Sequence, residues 1–212
     1  TSPLCVLSHP PKDLEGESET FWRLKSGRPV PGIEVRVVDD EGHCLAQDGL
    51  AVGELQLRGA WVTGEYLDTD SDAFAPDGWL RTGDLATMDE RGYCRIVGRL
   101  KDMVIRGGEN LFPVEIEEVL MKHPAVAEVA VVGLPDERWG EVLGAFLRLD
   151  EQVDAPTVSA LRDYIRAQLS PQKTPAFWYA VDSFPLTGSG KIQKFALRTS
   201  WEAGEHEASA LS

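Results

Sequence analysis

One short stretch of the sequence has the composition of a phosphate-binding loop. In "PLTGSGKIQKF", residues 185–195, Lys191 follows a run of Gly, Thr and Ser. The nucleotide-cradling P-loop requires Gly, four residues and then Gly-Lys-Ser/Thr, so that backbone amides surround the phosphates and a hydroxyl reaches magnesium. Here Pro185 and Ile192 occupy the first Gly and the Ser/Thr positions. The spacing excludes a P-loop. Lys191 is therefore a phosphate ligand of another kind, a catalyst, or only a charged residue of a turn.

A second stretch, "GWLRTGDLA" at residues 78–86, sets Asp84 at a glycine turn beside Arg81 and Thr82. A carboxylate fixed in this way can accept two hydrogen bonds from a vicinal diol, as the acidic residue of dinucleotide-binding folds does with ribose. The alternative is an Asp that only caps a turn. The stretch taken alone leaves both interpretations open.

A third stretch, residues 97–120, combines cations with a glycine pair. Arg99, Lys101 and Arg106 surround Gly107 and Gly108 directly ahead of a predicted helix. Glycines without side chains let a ligand pass close to the backbone. The stretch also lies where the chain changes from a β-rich to an α/β pattern, and ligand sites favour domain boundaries. We therefore predict a ligand-binding segment here.

The sequence predicts no metal site. "DTDSDAF", residues 68–74, alternates Asp as a calcium loop does, but an EF-hand would need Gly and Glu where Ala73 and Trp79 stand. The cysteines and the histidines are scattered and form no zinc pattern or disulfide framework. These residues are Cys5, Cys44, Cys94, His9, His43, His123 and His206.

Charge and hydropathy exclude several classes of partner. Lys and Arg number 21 against 35 Asp and Glu, and the formal charge of -14 argues against binding nucleic acid or anionic membranes. No apolar run approaches the roughly 18 to 20 residues of a membrane span. The first residues resemble no secretory signal and include no Met, so we expect a cytoplasmic chain that begins inside a larger protein.

The pattern of apolar residues changes near Gly98. From about residue 27 to 98, short apolar alternations separated by turn residues predict an all-β half. Beyond it, "PVEIEEVLMKH" and "TVSALRDYIRAQLS" predict helices, the second extending to Leu169, and three apolar runs predict buried strands. The second half is thus predicted to be α/β, with a frayed polar tail from about 202 to 212.

Three blocks of this sequence resemble the motifs of the adenylate-forming superfamily, which includes acyl-CoA synthetases, luciferases and peptide-synthetase adenylation domains. The blocks are "WLRTGDLA", "GRLKDMVIRGGENLFPVEIE" and "PLTGSGKIQK". The resemblance covers nearly the whole chain and is nearest to fatty-acid CoA ligases, because "GGENLFP" is typical of CoA-using members. It implies an α+β fold. Residues 1–100 would be the β-rich, distorted barrel-like end of a large N-terminal domain, and residues 101–212 a small α/β lid domain.

The resemblance also implies roles for individual residues. Family members use Mg-ATP to convert a carboxylate into an acyl-adenylate and then pass the acyl group to CoA. By similarity, Asp84 and Arg99 contact the ribose, and Lys101 is the hinge about which the lid domain rotates. Lys191 resembles the catalytic lysine, which a mobile loop brings to the acyl carboxylate and the α-phosphate. Its ammonium would offset the repulsion between the two anions in the transition state.

Four further residues resemble the CoA-binding positions of the family. Gly107 and Gly108 look like the wall of the pantetheine tunnel. Trp139 matches a position near the CoA nucleotide, with side-chain packing as the alternative, and Lys173 lies in a basic segment. The family often has Lys-x-Pro-Lys where this chain reads "KTPA", so that Ala176 replaces one cation.

The remaining parts of such an enzyme should precede Thr1. They comprise the ATP phosphate loop, the adenine and acyl pockets and the Glu that binds Mg²⁺. We therefore expect ATP, Mg²⁺, CoA and a carboxylic, preferably fatty, acid to bind a longer enzyme, with the missing N-terminal part as the partner of this chain. The chain alone is predicted to be inactive. Two alternatives remain: a peptide-synthetase-type adenylation domain, and a non-catalytic binding module with the lid fold.

Overall fold

The chain divides into two compact units, Thr1–Lys101 and Asp102–Ser212. The computed structural model describes residues 5–11, 19–23, 25–64, 73–206 and 210–211. The calcium-like stretch 68–74 lies almost wholly outside the described residues. Each unit combines sheet and helix, in agreement with the predicted α+β class.

The described residues of the first unit form the strands β1 Val6–Leu7, β2 Arg28–Pro29, β3 Ile33–Val38, β4 Gly53–Gly59, β5 Leu80–Met88 and β6 Cys94–Arg99 and the α-helix α1 Glu19–Arg23. Four of these strands make an antiparallel sheet in the order β3-β4-β5-β6. β1 and β2 form a separate antiparallel pair. Backbone hydrogen bonds from Ser26 and Gly27 to Cys94 attach the start of β2 to the β6 edge. The described residues of this unit form an open four-stranded sheet, and the barrel-like form stays a prediction.

Alternating side chains build the core of the first unit. Val37 of β3 and Leu55 and Leu57 of β4 are buried, as the period of two predicts. They pack with side chains of β5 and β6, namely Ala86, Met88 and Cys94. Asp89 closes the β5–β6 turn by accepting hydrogen bonds from the amides of Arg91 and Tyr93.

The described residues of the second unit form a five-stranded mixed sheet and three α-helices. The strand bounds are β7 Val104–Arg106, β8 Glu109–Leu111, β9 Val126–Asp136, β10 Gly140–Leu149 and β11 Phe177–Ala180. The helix bounds are α2 Pro113–Leu120, α3 Val158–Arg166 and α4 Lys194–Glu202. β10 is the central strand. Antiparallel β9 pairs with one edge of β10, and parallel β11 and the end of antiparallel β7 pair with its other edge.

The predicted helices α2 and α3 are confirmed by their buried faces. Ile116 and Leu120 of α2, and Leu161 and Ile165 of α3, are fully buried in one core cluster. The hydroxyl of Thr157 caps α3 by accepting the Ala160 amide. The prediction that α3 extends to Leu169 is wrong, because the helix ends at Arg166.

The C-terminal segment differs from expectation. α4 was not predicted, because its only fully buried side chain is Leu197 and its apolar periodicity is weak. The prediction of a frayed tail from 202 is also wrong for the described residues. Ala210 bridges to Tyr179 of β11, and the Leu211 amide donates to the Trp178 carbonyl at 2.9 Å. These bonds attach the end of the chain to the free edge of β11.

The described residues contain no helix that is both long and apolar enough to span a bilayer.

Candidate active site

Asp84 and Arg99 form a pair at the edge of the first unit. They are direct neighbours across β5 and β6, and Arg99 Nε donates to Asp84 Oδ1 at 2.9 Å. In the part of the chain that the structure describes, Arg99 is the only side chain bonded to this carboxylate. Asp84 Oδ2 and the remaining Arg99 nitrogens are therefore available to a ligand with hydroxyl or phosphate groups.

Lys101 is the last residue of the first unit. It lies in the 3₁₀ turn Leu100–Asp102, and its side chain is exposed. No ion pair or hydrogen bond of Lys101 is found among the described residues. Because a 3₁₀ turn has few stabilising hydrogen bonds, the chain can change direction here with little loss of structure.

Lys191 lies at the end of a compact loop. The Gly190 amide donates to the Thr187 carbonyl, and the Thr187 amide donates to the Lys191 carbonyl. The Thr187 hydroxyl accepts the Lys191 amide at 3.1 Å and contacts Ser189 Oγ at 3.0 Å. The loop is therefore closed by internal hydrogen bonds, so that Lys191 is held by a defined backbone rather than by an open chain.

The side chain of Lys191 is exposed and, within the described residues, forms no ion pair or hydrogen bond. Lys194, three residues later, is different. Its Nζ lies 2.6 Å from Glu117 Oε1, both side chains are largely buried, and the same carboxylate oxygen accepts the Val131 amide. Of these two lysines, Lys194 attaches α4 to α2 and β9, and only Lys191 is available to a ligand.

Gly107 and Gly108 form the two-residue turn between β7 and β8. Their φ values are 58° and 86°, as a type I′ hairpin requires. A Cβ at Gly107 would lie 2.8 Å from Trp139 Cε3, whereas a Cβ at Gly108 would meet nothing within 4 Å. Gly107 is therefore needed for packing, and Gly108 leaves open space beside the backbone.

Trp139 covers this hairpin. Its carbonyl accepts the Gly107 amide at 2.8 Å, and the residue is 39% exposed. The guanidinium groups of Arg106 and Arg138 lie 5.3 and 4.8 Å from the centre of the ring. The structure thus brings Trp139 and the glycine pair together and adds two cations. Arg138 was missed in the sequence, where only its position beside Trp139 marks it.

Lys173 lies in the 3₁₀ turn Pro171–Lys173, and its Nζ is 2.5 Å from Glu115 Oε2 of α2. Its charge is therefore already paired in this structure. Arg106 Nη1 donates to the Gln172 carbonyl at 2.9 Å, which joins the same turn to the glycine hairpin. Ala176, where the family often has a cation, is exposed.

Residues 115–191 match the family model of the AMP-binding enzyme C-terminal domain. The match begins in α2 and ends on Lys191. The chain belongs to the adenylate-forming superfamily. It corresponds to the C-terminal part of these enzymes, as the three motif blocks predicted.

Two curated relatives of this superfamily member are acyl-CoA ligases. The acyl-CoA ligase sidI of Aspergillus fumigatus is 44% identical over 212 residues, which cover 93% of this chain and 35% of that protein. The mitochondrial medium-chain acyl-CoA ligase ACSF2 of Homo sapiens is 41% identical over 205 residues, covering 95% of this chain and 32% of that protein. The chain thus spans about a third of the length of these relatives.

A solved structure shows the same fold. The o-succinylbenzoate CoA synthetase MenE of Bacillus subtilis, in complex with the acyl-adenylate intermediate OSB-AMP, superposes with a TM-score of 0.76 at 34% identity. The superposition covers 83% of this chain and 36% of MenE. The name of the human relative specifies mitochondria, so it lends no support to the expected cytoplasmic location.

Proposed function

We propose that this chain is the C-terminal part of an ATP-dependent acyl-CoA ligase that activates a carboxylic acid as acyl-AMP and transfers the acyl group to CoA. The curated relatives named above support the class of reaction. A fatty acid is the proposed acid, because the human relative carries a medium-chain acyl-CoA ligase name. In this proposal residues 1–100 end the nucleotide-binding domain, and residues 101–212 form the lid domain.

In the first step a carboxylate oxygen of the acid attacks the α-phosphorus of ATP, and the bond to pyrophosphate breaks. Both reactants are anions, so a cation between them stabilises the transition state. We assign this role to Lys191, whose ammonium has no competing partner among the described residues. Asp84 would hold the ribose hydroxyls, and Arg99 would orient its carboxylate and contact the nucleotide.

In the second step the CoA thiol attacks the acyl carbonyl carbon, and AMP leaves. The open space at Gly108 supports a passage for the narrow pantetheine chain beside the hairpin. Trp139, 39% exposed and flanked by two guanidinium groups, suits a purine and its phosphates. Lys173 would join these cations after its ammonium leaves the Glu115 carboxylate.

The two steps use different segments of the second unit, and the Lys191 loop is closed by its own hydrogen bonds. To move Lys191 by itself, this loop would have to break its internal hydrogen bonds. We therefore assign the movement to rotation of the whole unit about Lys101, where a few backbone dihedrals can absorb the change.

Mg²⁺ would assist the first step by neutralising phosphate charge. No group of three or more potential metal ligands is present among the described residues of this chain. By the family resemblance, the residue that binds Mg²⁺ lies in the N-terminal part of the enzyme. We expect the chain alone not to form an acyl-adenylate.

The observation that carries this proposal is the contrast between Lys191, which is unpaired, and Lys194, which is paired. The test is acid-dependent exchange of pyrophosphate into ATP by the full-length protein. Lys191→Ala should lower the exchange rate by a factor on the order of 10² to 10³ with an unchanged unfolding temperature. Lys194→Ala, the matched control, should lower stability by about 1 to 3 kcal/mol because Glu117 loses its partner, and should retain exchange.

Equal loss of exchange in both variants would refute the role of Lys191. The same assay separates the alternatives. A peptide-synthetase-type domain would show exchange but would load a carrier protein instead of CoA, and a non-catalytic module would show no exchange with any acid.

A further inference from the structure

The strand that carries Asp84 contains a break in its pairing. Gln56 of β4 faces Arg81 of β5, and Glu54 faces Leu85. Leu55 is thus the single β4 residue opposite three β5 residues, 82 to 84. Such a bulge leaves backbone groups unpaired and changes the direction of the side chains that it carries. Asp84 is one of these three residues, so the shape of the bulge sets the direction of its carboxylate.

Side chains satisfy the backbone groups that the bulge leaves unpaired. The Thr82 hydroxyl donates to the Leu55 carbonyl at 2.6 Å and accepts the Asp84 amide at 3.1 Å. The Gly83 amide donates to Glu54 Oε1 at 3.3 Å. Gly83 has a φ of 68°, which other residues adopt only with strain. Glu54 therefore holds the central residue of the bulge in its left-handed conformation.

A chain of hydrogen bonds orients Glu54. Its second oxygen, Oε2, accepts from Gln56 Nε2 at 3.0 Å. Gln56 Oε1 in turn accepts from Arg36 Nε and Nη2 at 2.9 and 2.7 Å. Arg36 is held by Asp77, at 2.7 Å, and by the ring of Trp79, 4.5 Å from the guanidinium carbon.

Arg36 determines which group donates and which accepts in each of these hydrogen bonds. A guanidinium only donates, so the oxygen of the Gln56 amide must face Arg36 and its nitrogen must face Glu54. Gln56 is 2% exposed, so water cannot replace either bond. Glu54 then meets one donor on each oxygen, and only a carboxylate accepts on both sides. A glutamine at 54 would have to direct its NH₂ group at another donor.

We propose that Glu54 is a positioning residue for nucleotide binding. Fixed by Gln56 and Arg36, it holds the bulge so that the Asp84 carboxylate is directed at the ribose hydroxyls. The inference rests on the proposed function, in which Asp84 binds the ribose. Two hydrogen bonds to a diol require both carboxylate oxygens in one orientation, and a bulge without Glu54 would let that orientation vary.

The test compares ATP with 2′-deoxy-ATP as substrates of the full-length protein. The ratio of their kcat/KM values reports the hydrogen bond to the 2′-hydroxyl. Wild type should prefer ATP, and Asp84→Ala should remove most of this preference. Glu54→Gln should lower the ratio by about tenfold, as the loss of one aligned hydrogen bond does. Adding Glu54→Gln to Asp84→Ala should cause no further loss of the ratio.

Glu34→Gln is the matched control. Glu34 also bonds an arginine of this sheet, Arg58 at 2.8 Å, but it has no contact with the bulge. This variant should keep the wild-type ratio. Unfolding temperatures report whether a variant misfolds. Glu54→Asp keeps the charge but has a shorter side chain, so it tests for misalignment of the Asp84 carboxylate. Glu54→Asp should fold and still lose the preference.

The outcomes distinguish this inference from the proposed function. If Asp84→Ala keeps the wild-type ratio, the ribose role of Asp84 is refuted and the inference falls with it. If Asp84→Ala lowers the ratio but Glu54→Gln does not, only the inference is overturned. An equal loss of kcat/KM for both nucleotides in Glu54→Gln would also overturn it, since that result indicates general destabilisation.

Discussion

Replacing Gly108 by leucine tests whether the glycine hairpin is a passage for the thiol substrate. The expected loss of stability follows from the backbone. Gly108 has a φ of 86°, and a Cβ there would meet nothing within 4 Å. The substitution therefore introduces left-handed strain of about 1 to 2 kcal/mol, and the new Cβ contacts no atom of the protein. A folded domain of ordinary stability, about 5 to 15 kcal/mol, tolerates this strain.

Gly42 provides a matched control. It has a φ of 87°, and a Cβ at this position also meets nothing within 4 Å. Gly42→Leu should thus lower the free energy of unfolding by the same amount as Gly108→Leu. Gly42 lies in the turn that follows β3 of the first unit and belongs to none of the segments proposed to bind CoA. Strain is therefore equal in the two variants, and obstruction of the passage is expected only at position 108.

The assay supplies purified acyl-adenylate and CoA to the full-length protein and measures thioester formation. A leucine side chain in the passage should lower kcat/KM for CoA by at least a factor on the order of 10², since displacement of a reacting group by about 1 Å has that effect. Pyrophosphate exchange should stay near the wild-type rate. Normal thioester formation by Gly108→Leu, or an equal loss in Gly42→Leu, would refute the passage.

Two predictions concern the first unit. Burial raises the pKa of the Cys94 thiol to about 11, so at pH 8 a thiol reagent should modify exposed Cys44 and half-buried Cys5 first and Cys94 only after unfolding; replacing Cys5 and Cys44 by Ser should leave Cys94 unmodified in the folded chain, and its rapid modification there would contradict the assigned burial. Burial opposes ionisation of Asp89, but the Lys25 ammonium at 2.5 Å and the Tyr93 and Arg91 amides outweigh it and lower the pKa of Asp89. The carboxylate therefore stabilises the fold above the ordinary Asp pKa, and this contribution is lost as the pH falls through the lowered value. Asp89→Asn should lower the unfolding free energy by about 1 to 2 kcal/mol at pH 7, and the difference from wild type should shrink in acid; a constant difference down to pH 2 would refute the assignment.

Local patterns predicted the elements that have strong periodicity. The buried faces of α2 and α3 and the alternation in β3 and β4 are properties of neighbouring residues, so the sequence was sufficient to identify them. α4 was missed because its contacts come from the rest of the fold: Lys194 pairs with Glu117, and Arg198 with Glu141 at 2.7 Å. Neither partner can be recognised from the sequence around the helix.

The candidate site, too, was predicted only in part from the sequence. The residue types of the three motif blocks, together with the family resemblance, predicted Asp84, Arg99, Gly108 and Lys191 as site residues. Their availability to a ligand depends on long-range contacts, and it separates residues that look alike in the sequence. Lys173 and Lys191 both follow turn-forming residues, yet Lys173 pairs with Glu115, which lies 58 positions away in the sequence.

The sequence by itself indicated the family, because three of its motif blocks resemble those of the adenylate-forming superfamily, and the resemblance in turn implied the α+β class and the positions of the motif residues. Only the tertiary structure decided which cations are paired, how the bulge at Gly83 is held, and that Trp139 covers Gly107. Each of these depends on atoms that the sheets bring together from distant parts of the chain. An electrostatic or hydrogen-bonding partner is defined by distance in space, and spacing along the chain does not specify it.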